Sequence, residues 1–114
     1  MLSKEIMGAT ARSILLSILS RGESYGYAII QEVRQISGGE MEWKDGTLYP
    51  VLHRLEDQGL ITSAWRVPAE TGRRRRYYAI TPKGEEALTA EKQQWLKVDA
   101  ILAQLWGMEP RLAI

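Results

Sequence analysis

The stretch that most limits what this chain can fold into is "PAETGRRRRYYAIT", residues 68–81. Four consecutive like charges ordinarily belong to a solvated tail, because they repel one another and nothing apolar can be buried among them. Here the run is entered through Pro68 and Gly72, which mark a turn, and it leaves through Tyr77, Tyr78, Ala79 and Ile80, which favour a strand. The preceding "LITSAWRV", Leu60–Val67, is also β-rich, so the two runs read as a hairpin with arginines at its tip and along its returning strand. Period-two alternation puts Arg74, Arg76, Tyr78 and Ile80 on one face and Arg73, Arg75, Tyr77 and Ala79 on the other. The tyrosines and Ile80 can anchor such a strand while the arginines project toward a partner.

The charge around this hairpin is local. The formal net charge is only +1, yet residues 61–82 hold five Lys/Arg against one Asp/Glu, and residues 1–60 hold six against eight. A basic patch on a neutral body suits directed binding to a polyanion. On charge alone, a solvated loop would read the same way.

Upstream, Ala9–Leu19 has Ile14, Leu15, Ile18 and Leu19 at helical spacing, with Gly22 as a stop. A second helix reads from Ser24 as its cap, with Tyr25, Ala28, Ile29, Val33 and Ile36 on one face and Gly38-Gly39 as its end. "EMEWK", Glu40–Lys44, alternates as a short strand would, with Met41 and Trp43 on one side. A third helix opens at Asp45 as cap and ends at Gly59. On a wheel of about 100° per residue, Leu48, Val51, Leu52 and Leu55 fall together. Gly46, Pro50, His53 and Asp57 fall opposite, with Thr47, Tyr49 and Arg54 on the flanks, so one face has no reason to be buried.

After the hairpin, Thr81-Pro82 is a cap with proline at the first helical position, and the pattern stays helical to about Trp106. That length is too great to lie only on so small a body. Leu88, Trp95 and Leu102 are seven apart and Val98 and Leu105 interleave, which is coiled-coil spacing and points to a homodimer seam. Glu91 interrupts this stripe where a tight seam would want a leucine.

Helix, helix, short strand, helix and two-stranded hairpin is the order of a winged helix-turn-helix, α+β and mainly α. In that arrangement the third helix fits the major groove of double-stranded DNA and the basic wing lies along the backbone or in a minor groove. The domains read as 1–81, a DNA-binding unit, and 82–114, a dimerisation helix with a short tail. "YGYAI" (Tyr25–Ile29), "GTLYPVLHRLEDQGLI" (Gly46–Ile61) and "GRRRRYYAITPKGEEAL" (Gly72–Leu88) resemble, in order and spacing, three signature stretches of the PadR family of bacterial transcription regulators. The resemblance implies a homodimeric, mostly repressing DNA binder on a palindromic operator. The single C-terminal helix resembles the compact subfamily, which includes multidrug-responsive members.

The expected DNA contacts are Thr47, Tyr49, Pro50, His53 and Arg54 on the third helix and Arg73, Arg74, Arg75 and Arg76 on the wing, where the guanidinium fork matches phosphate. The expected seam is Leu88, Trp95, Val98, Leu102 and Leu105. A small aromatic or cationic effector would meet Trp95, Val98 and Asp99, since an indole with a nearby carboxylate can clamp a flat cation. Ile6 and Ser13 join that set through the resemblance.

Other classes fit poorly. The absence of cysteine excludes disulfides, thiolate metal sites and thiol nucleophiles. His53 is the only histidine, no second ligand stands at metal spacing, and no nucleophile, base and orienter can be assembled, so neither an enzyme nor a cofactor is expected. Arg12 and Arg21 bracket only Ser13–Leu19, a poor signal peptide and far too short for a bilayer, so the expectation is a cytoplasmic protein with no membrane partner. The rival reading is a winged-helix module that binds protein, whose partner would be held without the wing arginines and with little salt dependence.

Overall fold

The first helix begins earlier than its apolar spacing predicts, because Ser3 Oγ accepts the Ile6 N–H at 3.2 Å and caps it. In the computed structural model, which describes residues 1–109, α1 spans Lys4–Ser20. There follow β1 (Ser24–Tyr25), α2 (Gly26–Ile36), α3 (Asp45–Asp57), β2 (Ile61–Arg66), β3 (Arg75–Ile80) and α4 (Pro82–Trp106). The class is α+β, mainly α: a winged helix-turn-helix followed by one long helix.

The three strands form an antiparallel sheet in the order β1-β3-β2. Ser24 pairs with Tyr78 and Tyr25 with Tyr77, while β2 runs from Ile61 opposite Ile80 to Arg66 opposite Arg75. This corrects two expectations. Ser24 is not the cap of α2 but half of β1, and Glu40–Lys44 forms no strand. Both edges of β3 are taken by β1 and β2, so "EMEWK" does not pair with it. Met41 and Trp43 are nevertheless buried as a pair, as their alternation predicts.

The start of α3 also differs by one residue. Lys44 is its cap, in extended backbone, with its carbonyl accepting the N–H groups of Thr47 and Leu48 at 2.9 Å each. Asp45 is the first helical residue, where its charge faces the positive end of the helix dipole. Pro50 therefore lies within the helix and leaves the Gly46 carbonyl without its usual donor, on a face open to solvent.

The core gathers Leu15, Leu16 and Leu19 of α1, Ile29 and Val33 of α2, Leu48, Leu52 and Leu55 of α3, and Ile61 and Tyr78 of the sheet. Each fully buried leucine contributes about 1.5–3 kcal/mol relative to exposure. The first turns of α4 belong to this core as well. Leu88 is 3% exposed and packs in this core, so it is not available to an outward seam.

The entry into α4 is held by a tight junction. Thr81 donates its N–H to the Leu60 carbonyl at 3.0 Å and its hydroxyl to the Gly59 carbonyl at 2.7 Å, and its Oγ1 accepts the Gly84 N–H at 3.0 Å. Gly84 packs so closely that a Cβ there would overlap the Leu60 carbonyl oxygen and stand 2.6 Å from Ile80 Cγ1. Gly84→Ala should therefore lower stability by about 1–3 kcal/mol despite alanine's better helix propensity. Urea unfolding checks this; a midpoint equal to or above the parent's would show that the junction has slack.

Candidate nucleic-acid interface

The outer face of α3 is free for a partner because its apolar residues are spent on the inner one. Leu48, Leu52 and Leu55 are buried, while Thr47, Pro50, His53 and Arg54 are exposed. Tyr49 is half-buried and turns toward α2, where its hydroxyl fills the space beside Gly26. A side chain at Gly26 would have to displace that ring.

The wing lies beside α3, where it shares a cleft with Tyr49. Its loop turns at Pro68, whose carbonyl accepts the Gly72 N–H at 2.9 Å, and Gly72 takes a φ of 65°, which favours glycine. Arg73 and Arg74 sit at the tip, Arg75 and Arg76 in β3. The guanidinium of Arg74 stacks 4.4 Å from the Trp65 ring centre and that of Arg75 4.4 Å from Tyr25, while Arg66 lies 5.5 Å from Tyr77. Tyr25 and Tyr77 meet edge to face at 5.2 Å. Each such cation–ring contact at the surface is worth about 0.5–1 kcal/mol, enough to pre-orient a long side chain without hiding its charge.

Between wing, β1 and α3 runs a cleft of about 520 Å³ lined by Tyr25, Gly26, Tyr27, Tyr49, Trp65, Tyr78 and all four wing arginines. Arg76 differs from its neighbours. Its Nε donates to Ser63 Oγ at 3.0 Å and its Nη2 lies 3.5 Å from Glu56 Oε1, while Ser63 Oγ donates to Glu56 Oε2 at 2.7 Å. Trp65, Tyr25 and Tyr27 were not singled out for this face from sequence. For Trp65 the only signal was an aromatic opposite the arginines in a register that an eight-residue hairpin loop, 67–74, leaves open; Tyr25 and Tyr27 lie outside the hairpin.

The residues named for an effector divide. Trp95, 40% exposed, donates its indole N–H to Ser13 Oγ at 2.8 Å. Ser13 in turn donates to Glu91 Oε1, Arg12 Nε pairs with Glu91 Oε2, and Arg12 Nη1 reaches Gln58 Oε1 at 2.6 Å. Glu91 therefore interrupts the apolar stripe because it bolts α4 to α1. Trp95 lines an apolar groove of about 390 Å³ between α1 and α2, with Ile14, Ile18, Val33 and Ile36, and also one of about 480 Å³ that includes Val98. Ile6 and Asp99 line neither groove.

Of the expected seam, Val98 and Leu105 are exposed and Leu102 is half-buried. Leu96, Ile101 and Trp106 extend the exposed apolar surface of α4. The tail, 110–114, lies outside the described residues. Among the described residues no helix is long and apolar enough to cross a membrane.

An exposed helix face flanked by an arginine-bearing hairpin defines a DNA-binding winged-helix protein. Residues 15–90 match the model of the PadR-like family of transcriptional regulators. A transcriptional regulator of Mycobacterium tuberculosis is 39% identical over 90 residues, 79% of this chain and 79% of its own. Among solved structures, a transcriptional regulator from Clostridium thermocellum superposes with a TM-score of 0.80 at 30% identity, covering 89% of this chain and 97% of that one. A PadR family regulator from Clostridium difficile gives 0.76 at 33%, covering 85% and 98%. The chain belongs to the PadR-like family and is a DNA-binding transcription regulator, not an enzyme.

Tyr78, 1% exposed at the foot of the cleft, holds its proton more tightly than an ordinary phenol. Burial is the main cause; the nearby Arg76 charge opposes it, and Tyr49 and Glu56 add to it. The unfolded phenol titrates near 10.0 and the folded one higher, so this contribution to stability is whole below that value and is lost as pH rises through it. Urea midpoints between about pH 8 and about pH 11 should fall less steeply for Tyr78→Phe than for the parent. Parallel slopes would assign the alkaline loss to other groups.

Proposed function

We propose that the chain is a repressor acting as a homodimer on a palindromic operator, with 1–81 as its DNA-binding unit and 82–114 as its dimerising helix and tail. The observation that carries this is the cleft that joins Tyr49 of α3 to Arg73, Arg74 and Arg75 of the wing, on a helix whose Thr47, Pro50, His53 and Arg54 are exposed. Thr47, Pro50, His53 and Arg54 meet base edges or adjoining phosphates in the major groove, Tyr49 sets the approach of α2, and the wing arginines hold the backbone. The dimer rests on the distal half of α4, which keeps Val98, Ile101, Leu105 and Trp106 exposed with no body of its own to cover them. Two such units present their recognition helices about 34–36 Å apart. Repression needs only that the dimer cover a promoter, so no further surface is required for it.

A small aromatic or cationic effector fits the exposed indole of Trp95, with Ser13 and Val98 beside it and Ile6 and Asp99 completing the expected set. For release from DNA such a ligand must favour the DNA-incompetent arrangement, since equal affinity for both shifts nothing.

Selection from sheared genomic DNA of the source organism should enrich a palindromic site with the native protein and fail with Arg73→Ala/Arg74→Ala/Arg75→Ala. On the recovered site, that variant should also show a salt slope shallower by about 0.9 for each phosphate it no longer neutralises. No enrichment at low salt, or enrichment that survives the triple variant, would turn the reading toward a protein-binding module. Sedimentation equilibrium tests the seam separately. Leu105→Asp/Trp106→Asp replaces two exposed residues, so it should leave the fold intact and yield a monomer where the parent is a dimer. A variant that still dimerises would place the interface elsewhere.

A further inference from the structure

We infer that Arg76, alone among the four wing arginines, is a positioning residue that fixes the wing against the recognition helix; this rests on the DNA-binding reading and deepens it. Arg73, Arg74 and Arg75 form no ion pair among the described residues, so no carboxylate offsets their charge. Arg76 is spent inward. Its Nε donates to Ser63 Oγ on β2 and its Nη2 faces Glu56 on the last turn of α3, while Ser63 itself donates to the same carboxylate. Trp65 and Tyr78 flank the guanidinium, at 5.9 and 6.0 Å from their ring centres.

The closed arrangement joins three elements, α3, β2 and β3, at the one place where the groove-entering helix ends and the wing begins. The Glu56 carboxylate offsets the charge of Arg76, which makes it a poor phosphate ligand. The planar guanidinium fork, by contrast, suits a fixed angle between two acceptors. A wing held at that angle meets the backbone in step with the bases read by α3. A wing released from it keeps its other three arginines but loses register.

The test compares affinities and salt slopes on a duplex of about 30 base pairs carrying the selected site and on a scrambled duplex. Arg76→Lys, which keeps the charge and loses the fork, should weaken binding to the selected site by about tenfold with an unchanged salt slope. Glu56→Gln should weaken it too, although it removes a negative charge from the side that faces DNA. The double variant should be no weaker than either single one, because both break the same link.

If Arg76→Lys binds like the parent, if Arg76→Ala makes the slope shallower by about 0.9, or if Glu56→Gln tightens binding, Arg76 is a phosphate ligand and the inference falls. Should Arg76→Lys fail to fold by circular dichroism, Ser63→Ala leaves both charges in place and carries the same expectation: weaker binding at an unchanged slope. An unaltered protein that binds neither duplex would overturn the DNA-binding reading and this inference with it. A parent that binds, with variants that bind equally well, overturns the inference alone.

Discussion

The architecture depends on how closely the first turn of α4 approaches the backbone at Leu60. Only a hydrogen fits at Gly84, and the Thr81 hydroxyl bridges the end of α3 and the start of α4 by donating to Gly59 and accepting from Gly84. Because Thr81 also continues directly from β3, one residue sets three directions: the recognition helix, the wing and the long helix. Lys83 adds to the same turn by donating to the Gln58 carbonyl at 3.0 Å. The third helix, the wing and the long helix therefore share a common origin.

A second polar construction lies on the far side of that origin. Trp95, Ser13, Glu91, Arg12 and Gln58 form an unbroken series of hydrogen bonds from the middle of α4 through α1 to the C-cap of α3. Its half-buried members are costly to leave unpaired, so the angle at which α4 departs is tied to the end of the recognition helix. The wing is stiffened differently, by stacking. Trp65, Tyr25 and Tyr77 stack with the guanidinium groups of Arg74, Arg75 and Arg66, so ordering the arginines costs less when a partner arrives.

Much of the fold was legible in the sequence because it rests on local signals. The Thr81 cap with Pro82, the Leu48–Leu52–Leu55 face of α3 and the β-branched and aromatic runs of the hairpin each name their element without help from distant residues. Errors arose where the decision was not local. "EMEWK" has the pattern of a strand, and Ser24 that of a cap, yet β3 has only two edges and Ser24-Tyr25 occupies the one that β2 leaves. Leu88 has seam spacing, but burial under α1 and the sheet claims it for the protomer.

The same division runs through the site. The sequence by itself determined that a block of arginines would stand on a strand beside a helix with an unspent polar face, because charge, turn residues and helical period are all written along the chain. What each arginine does was decided only by tertiary structure. Arg74 meets Trp65, Arg75 meets Tyr25, and Arg76 meets Glu56 and Ser63. Those partners lie on β1, β2 and α3, and only the register of the closed sheet brings them within hydrogen-bonding or stacking distance. Adjacent and identical in sequence, Arg75 and Arg76 differ in the folded protein because neighbouring residues on a strand face opposite sides, while Arg74, on the side of Arg76, precedes β3 and stacks on Trp65.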